Sequence, residues 1–150
     1  MAFSHQQVVL DQESGGLMSI KHEWAESRIY LISVSGSVTI DVMKSVIAEG
    51  IQAGRLRNEI PYVQIVDLRN AERIPVNLRG FREIGALMNG KVIGLFVIDA
   101  PPAARLAAQV VKKLFPVFRT TWFCDSWEEA LAAAQALVAE VDVAHSARST

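Results

Sequence analysis

Polar and apolar residues alternate along LMSIKHEW, with Leu17, Ser19, Lys21 and Glu23 on one side and Met18, Ile20, His22 and Trp24 on the other. That period of two is the mark of a strand. Ala25-Glu26-Ser27 turns the chain, and RIYLISV, Arg28 to Val34, follows too closely for a crossover. The two strands therefore pair antiparallel, and Gly36 ends the hairpin. From Thr39 the period lengthens: Ile40, Met43, Ile47 and Ile51 share one face at helical spacing, with Thr39 as N-cap, Asp41 in the first turn and Gly54 at the far end. After Pro61 the run YVQIVDL, Tyr62 to Leu68, predicts a strand, and a strand reached through a helix implies a right-handed parallel crossover.

The same unit recurs twice. A helix over Asn77 to Met88 is expected to turn Leu78, Phe81, Ile84 and Met88 inward, and Asn89-Gly90 leads into the strand VIGLFVI. A helix from Pro102 to Phe115 is expected to face inward with Leu106, Val110, Val111 and Leu114, bounded by Pro101-Pro102 and by Pro116. TTWFC, Thr120 to Cys124, supplies the last strand. Ser126-Trp127-Glu128-Glu129 has the form of a capping box for a closing helix that buries Trp127, Leu131, Ala134 and Leu137 or Val138. The tail VDVAHSARST shows no period and is expected to fray. The pattern predicts an α/β fold: a mixed four- to five-stranded sheet with an N-terminal antiparallel hairpin, then αβ units, with helices mainly on one face. Residues 1–16 read as an arm, 17–140 as one domain and 141–150 as a flexible tail.

Composition narrows the classes. With 150 residues, 51% hydrophobic and 21% charged, the chain can bury a core without metal or disulfide. A mean hydropathy of +0.23 favours a self-association surface, so a homo-oligomer is among the expected partners. The net charge of −1 argues against nucleic acid. Cys124 is the single cysteine, so no intramolecular disulfide forms and a cytoplasmic setting is expected. Residues 1–16 lack the basic start and apolar run of a signal peptide, and no apolar run approaches the roughly 20 residues of a membrane span.

The segments RIYLISVSGSVTIDVMKSVI, YVQIVDLRN, KVIGLFVIDAP and TTWFCDSWEEALAAAQALV resemble the anti-sigma-factor antagonist (STAS) fold, and more closely its SpoIIAA-like group, which is similar in turn to the lipid-carrying Sec14 domain. The resemblance spans roughly Leu17 to Glu140. It implies a regulatory module that docks a protein partner, in which signalling members carry a phosphorylated serine at the start of the helix after the third strand. Here that loop reads RNAERIPVNLRGF, and no serine or threonine occurs between Ser45 and Thr120. A helix N-terminus would stabilise a phosphate, but no residue is present to carry one, so the phosphoswitch is not expected to transfer.

Candidate chemistry is sparse. Asp67, Asp99 and Asp125 each fall where a predicted parallel strand gives way to a loop, the end at which such sheets bind ligands. Aspartate also favours such positions as a capping residue, which explains them more simply. Arg55, Arg57, Arg69, Arg73, Arg79 and Arg82 follow one another without a lysine, interspersed with Glu59, Asp67, Glu72 and Glu83. They form an anion or partner surface, or a mutually paired solvated one. Cys124 could be a nucleophile only with a base beside it, for which His5, His22 and His145 are the histidines available; a buried structural thiol is the simpler expectation, and the three histidines make no metal pattern. No GxGxxG, P-loop or GxSxG motif occurs.

The expected function is a non-catalytic protein-interaction or regulatory module, not an enzyme, with no cofactor and no metal. An unidentified protein partner is expected to bind at Arg69, Asn70, Arg73, Asn77, Arg79 and Arg82. The alternative is a carrier of a small apolar molecule or lipid, for which Phe81, Phe115 and Phe118 are the candidate lining or apolar surface.

Overall fold

The structure, a computed structural model, describes residues 6–12, 16–37, 39–56, 61–73, 78–87 and 92–148. Strands β1 (Gln6–Gln12), β2 (Gly16–Glu26) and β3 (Ile29–Ser37) precede helix α1 (Ile40–Leu56). Then come β4 (Tyr62–Arg73), α2 (Leu78–Leu87), β5 (Val92–Ile98), α3 (Pro102–Leu114), a single 3-10 turn (Pro116–Phe118), β6 (Thr121–Cys124) and α4 (Trp127–Arg148). The six strands form one sheet in chain order, antiparallel from β1 to β3 and parallel from β3 to β6. The fold class agrees with the pattern of the sequence, and the sheet is one strand larger than the widest expectation. The added strand is β1, in the arm: Val8 faces Ile20 and Leu10 faces Met18 in its register with β2.

Strand order that advances by one with each right-handed crossover puts every crossover helix on the same face. α1, α2 and α3 accordingly cover one face, and α4, with no strand to follow it, covers the other. Under α1 lie Ile20, Trp24, Tyr30, Ile32, Val34 and Tyr62, with Met43 packed against them. Under α4 lie Ile29, Val63, Ile65, Phe96, Ile98 and Cys124, closed by Ala130 and Ala134, which are fully buried, and by Trp127, Leu131, Leu137 and Val138. Alanines at the contact let α4 sit low on the sheet, and a Cβ at Gly94 would come within 2.5 Å of Leu137 Cδ2. The cap forms with its return bond shifted by one residue: Glu129 N–H donates to Ser126 Oγ (3.1 Å), while Glu129 Oε2 accepts from the N–H of Asp125, one residue before the N-cap (2.9 Å). The helix then runs on to Arg148 rather than ending near Glu140, and Asp142 pairs with Arg28 beside the β2–β3 turn.

One face is corrected. In α3 the inward residues are Ala104 and Val111, while Leu106, Val110 and Leu114 are exposed. The helix carries two apolar rows, and the smaller one permits the closer approach to the cluster of Phe118, Ile40, Met43 and Ile47. The inward positions expected on α2 (Leu78, Phe81, Ile84 and Met88) lie outside the described side chains.

Candidate functional site

The carboxyl ends of the parallel strands gather the polar residues that the sequence singles out. β4 runs beyond β5, whose pairing ends at Asp67 opposite Ile98. The register with β3 slips between Ser33 opposite Asp67 and Ser35 opposite Asn70, so a bulge re-aims the chain at Leu68 and Arg69. Asp67 is folded back on Arg69: its carboxylate accepts from the Arg69 backbone N–H (3.0 Å), from Nε (3.0 and 3.1 Å) and from a terminal guanidinium nitrogen (2.7 Å). Burial alone would raise the Asp67 carboxyl, but these charge-assisted bonds outweigh it and hold the group below its usual range. The same contact pushes the Arg69 guanidinium up.

Asp125 is engaged separately, accepting from Arg105 at 3.1 Å. Asp99 is exposed in the left-handed conformation (φ 57°), its N–H donating to the Cys124 carbonyl at 3.0 Å. Asp67 and Asp125 thus have separate partners, Asp99 is engaged only through its backbone N–H, and among the described residues no group of three metal-ligating side chains comes together. Cys124 is buried, and burial, with Glu129 and Asp125 adding to it against Arg105, pushes its thiol up, away from the thiolate that nucleophilic chemistry uses.

The candidate partner residues divide between two faces. Arg69 and Asn70 are exposed at the end of β4, and Arg69 feels the charges of Glu128 at the start of α4 and of Asp99. Arg79 and Arg82 are exposed on α2, on the other face; the Arg79 side chain keeps 89% of its accessible surface and touches Glu83 only at 3.7 Å. Glu83 is shared with Lys44 of α1 at 3.2 Å. Gly80 lies between these arginines in sequence and is buried, its backbone so close to Ile40 of α1 that a Cβ would collide with it. The α1 contact therefore fixes which side of α2 looks outward. Asn77 lies outside the described residues, as do the side chains of Arg73 and Phe81. Of the aromatic candidates, Phe118 is 6% exposed within the α1–α3 core, and Phe115, at the end of α3, packs against the same cluster.

Two features were not singled out as sites from the sequence. The first is a buried polar group: the Tyr30 hydroxyl is hydrogen-bonded to His22 Nδ1, and His22 Nε2 sits 3.1 Å from a Glu49 carboxylate oxygen without hydrogen-bond geometry. Its signal was His22 on the apolar side of the first strand pattern. The second is the exposed row Leu106, Val110 and Leu114, visible in the sequence as apolar spacing but assigned to the interior.

No protein-family model matches the chain, and no curated protein does. Among solved structures it is similar to an uncharacterized protein of the DUF3478 family with a SpoIIAA-like fold from Shewanella loihica PV-4, at 10% identity over 89% of this chain and 96% of that one, with a TM-score of 0.51. An anti-sigma factor antagonist from Mycobacterium paratuberculosis matches at 20% identity over 88% and 95%, with a TM-score of 0.44. The anti-sigma factor antagonist SpoIIAA in its unphosphorylated form matches at 15% identity over 76% and 94%, with a TM-score of 0.42. The fold is SpoIIAA-like. Among the described residues no helix is long and apolar enough to cross a membrane.

Proposed function

We propose that the chain is a non-catalytic regulatory module that works by binding a protein partner. The observation that carries this reading is the contrast between its two sets of charges. At the strand ends, where α/β enzymes keep their reactive groups, two of the three acids, Asp67 and Asp125, are paired in place by Arg69 and Arg105. On α2 the guanidinium of Arg79 and the exposed Arg82 are held out by a helix that Gly80 seats against α1. A solvated arginine fork recognises a partner's carboxylates bidentately. Arg69 and Asn70 belong to a second, smaller patch at the end of β4.

The test is recovery of the intact protein from its own host, followed by native mass spectrometry. A stoichiometric partner is expected, with at least tenfold weaker association for the double variant Arg79→Glu, Arg82→Glu. A partner retained by that variant at unchanged affinity would remove the site, and the absence of any partner would remove the module.

A carrier of a small apolar molecule is the second reading. It draws on the Thr121 hydroxyl, buried without a hydrogen-bond partner in the same cross-strand row as Gln64, whose amide is turned toward the Tyr62 phenol. A ligand with a polar end would satisfy such a group, whose desolvation otherwise costs about 1–3 kcal/mol. The same spectra decide it: a small molecule that leaves on denaturation supports the carrier, and a bare chain counts against it.

A further inference from the structure

Among the described residues, the apolar row of α3 holds three of the five exposed large hydrophobic side chains, and neither the core nor the strand-end pairs use it. Leu106, Val110 and Leu114 are 65%, 45% and 58% exposed. Residues four apart in a helix lie nearly above one another, so the three form a ridge about 12 Å long. The direction of the ridge follows from the contacts of α3. Ala104 and Val111 face inward. Arg105 and Lys112 reach toward β6, the first donating to Asp125 and the second to the Thr121 carbonyl at 2.8 Å. The ridge lies on the shoulder away from those contacts, where α2 is the neighbouring helix.

The charge around the ridge has one sign. Between Ala100 and Thr120 there is no acidic residue, whereas Arg105, Lys112, Lys113 and Arg119 are present, in a chain whose net charge is −1. Lys113 and Arg119 are exposed, and across on α2 so are Arg79 and Arg82. Glu83, the acid on α2, is already held by Lys44.

We infer that α3 with the outer side of α2 is the docking site for an acidic amphipathic helix of the partner. Its apolar face would cover Leu106, Val110 and Leu114, and its flanking carboxylates would meet Lys113, Arg119, Arg79 and Arg82. The inference rests on the interaction-module reading and adds the chemistry of the partner to it. A second copy of α3 is a poor occupant, because a two-fold contact would bring the same basic patch of both copies into one interface with no acid to offset it. A membrane surface fits less well than a helix: the other outward positions of α3 are Pro102, Ala103, Gln109 and Lys113, of which Ala103 continues the same row, so that a single narrow row is left rather than the broad apolar face of an interfacial helix.

The full chain is titrated by fluorescence anisotropy against two labelled synthetic amphipathic helices that share one leucine face, one flanked by glutamates and the other by lysines. The glutamate peptide is expected to bind at least tenfold more tightly. Leu106→Asp and Leu114→Asp, at exposed positions that leave the circular dichroism spectrum unchanged, are expected to weaken it at least tenfold. Equal affinity for the two peptides overturns the inference, as does indifference to both substitutions. So does binding to phosphatidylcholine–phosphatidylglycerol vesicles without binding to the peptide, or a dimer that Leu106→Asp dissolves. A host partner lost with Arg79→Glu, Arg82→Glu but retained at full affinity by Leu106→Asp and Leu114→Asp overturns this site and leaves the module standing. The absence of any host partner removes the module, whatever the peptides do.

Discussion

Tyr30 and Tyr62 are the two tyrosines of the chain, and both lie beneath α1 against Trp24, with ring centroids 4.9 and 5.6 Å from the indole. Burial pushes the Tyr62 phenol up to about 12 and raises Tyr30 further, with the charge of Glu49 adding to the shift. The sign follows from linkage: the unfolded chain gives up these protons first, near the ordinary value of 10.0. Their contribution to stability is therefore complete below that pH and is lost as pH rises through the folded values. In an alkaline titration the tyrosinate absorbance should stay flat past pH 10.0 and then rise together with loss of the near-ultraviolet circular dichroism. One tyrosine ionising at its ordinary value in a still-folded chain would contradict the placement of that ring. Asp67 has the opposite sign: its depressed carboxyl contributes stability above the unfolded value and loses it as pH falls through the folded one.

At the scale of elements, the inner face of α4 has a direct test. Ala134 is fully buried against the sheet, whereas Ala132 and Ala136 are exposed. Ala134→Leu should cost about 1–3 kcal/mol by overpacking, and Ala136→Leu should stay within about 0.5 kcal/mol, both read from urea denaturation. Equal effects would mean that α4 presents a different side. This face was legible in the sequence because Trp127, Leu131, Ala134 and Val138 mark one stripe behind a capping box. α3 was legible as a helix and not as a surface, because hydrophobic spacing records which residues are apolar, not which of two rows a sheet has room to cover. Ala104 and Val111 won the interior since a small seam packs closer, and the larger row was left outside. The arm was missed for another reason. QQVVLDQ is too short and too polar at its ends to announce a strand alone, and it becomes one only against the free edge of β2. The division of the arginines between two faces is likewise tertiary: it depends on the bulge in β4 and on Gly80, not on spacing along the chain.

Over the whole molecule, a six-stranded open sheet has two edges, and exposed strand edges invite pairing with other chains. At one edge β6 has only four residues, and Lys112 occupies the Thr121 carbonyl, so little is left to template a neighbour. At the other, β1 covers β2, whose eleven residues, Gly16–Glu26, are among the longest runs of strand in the fold. Deleting residues 1–12 turns that long strand into an edge while its inward residues Ile20, His22 and Trp24 remain tied to β3 and the core beneath α1. The shortened chain should keep its folded near-ultraviolet spectrum and gain concentration-dependent self-association by sedimentation velocity. Ile29, Tyr30 and Ile32 on β3 keep their β4 pairing in either case, so the gain would report the edge and not general unfolding. A shortened chain that sediments as the full one does, across the same concentrations, would show that β2 guards its own edge, with Lys21 and Glu23 as the charges available to do so.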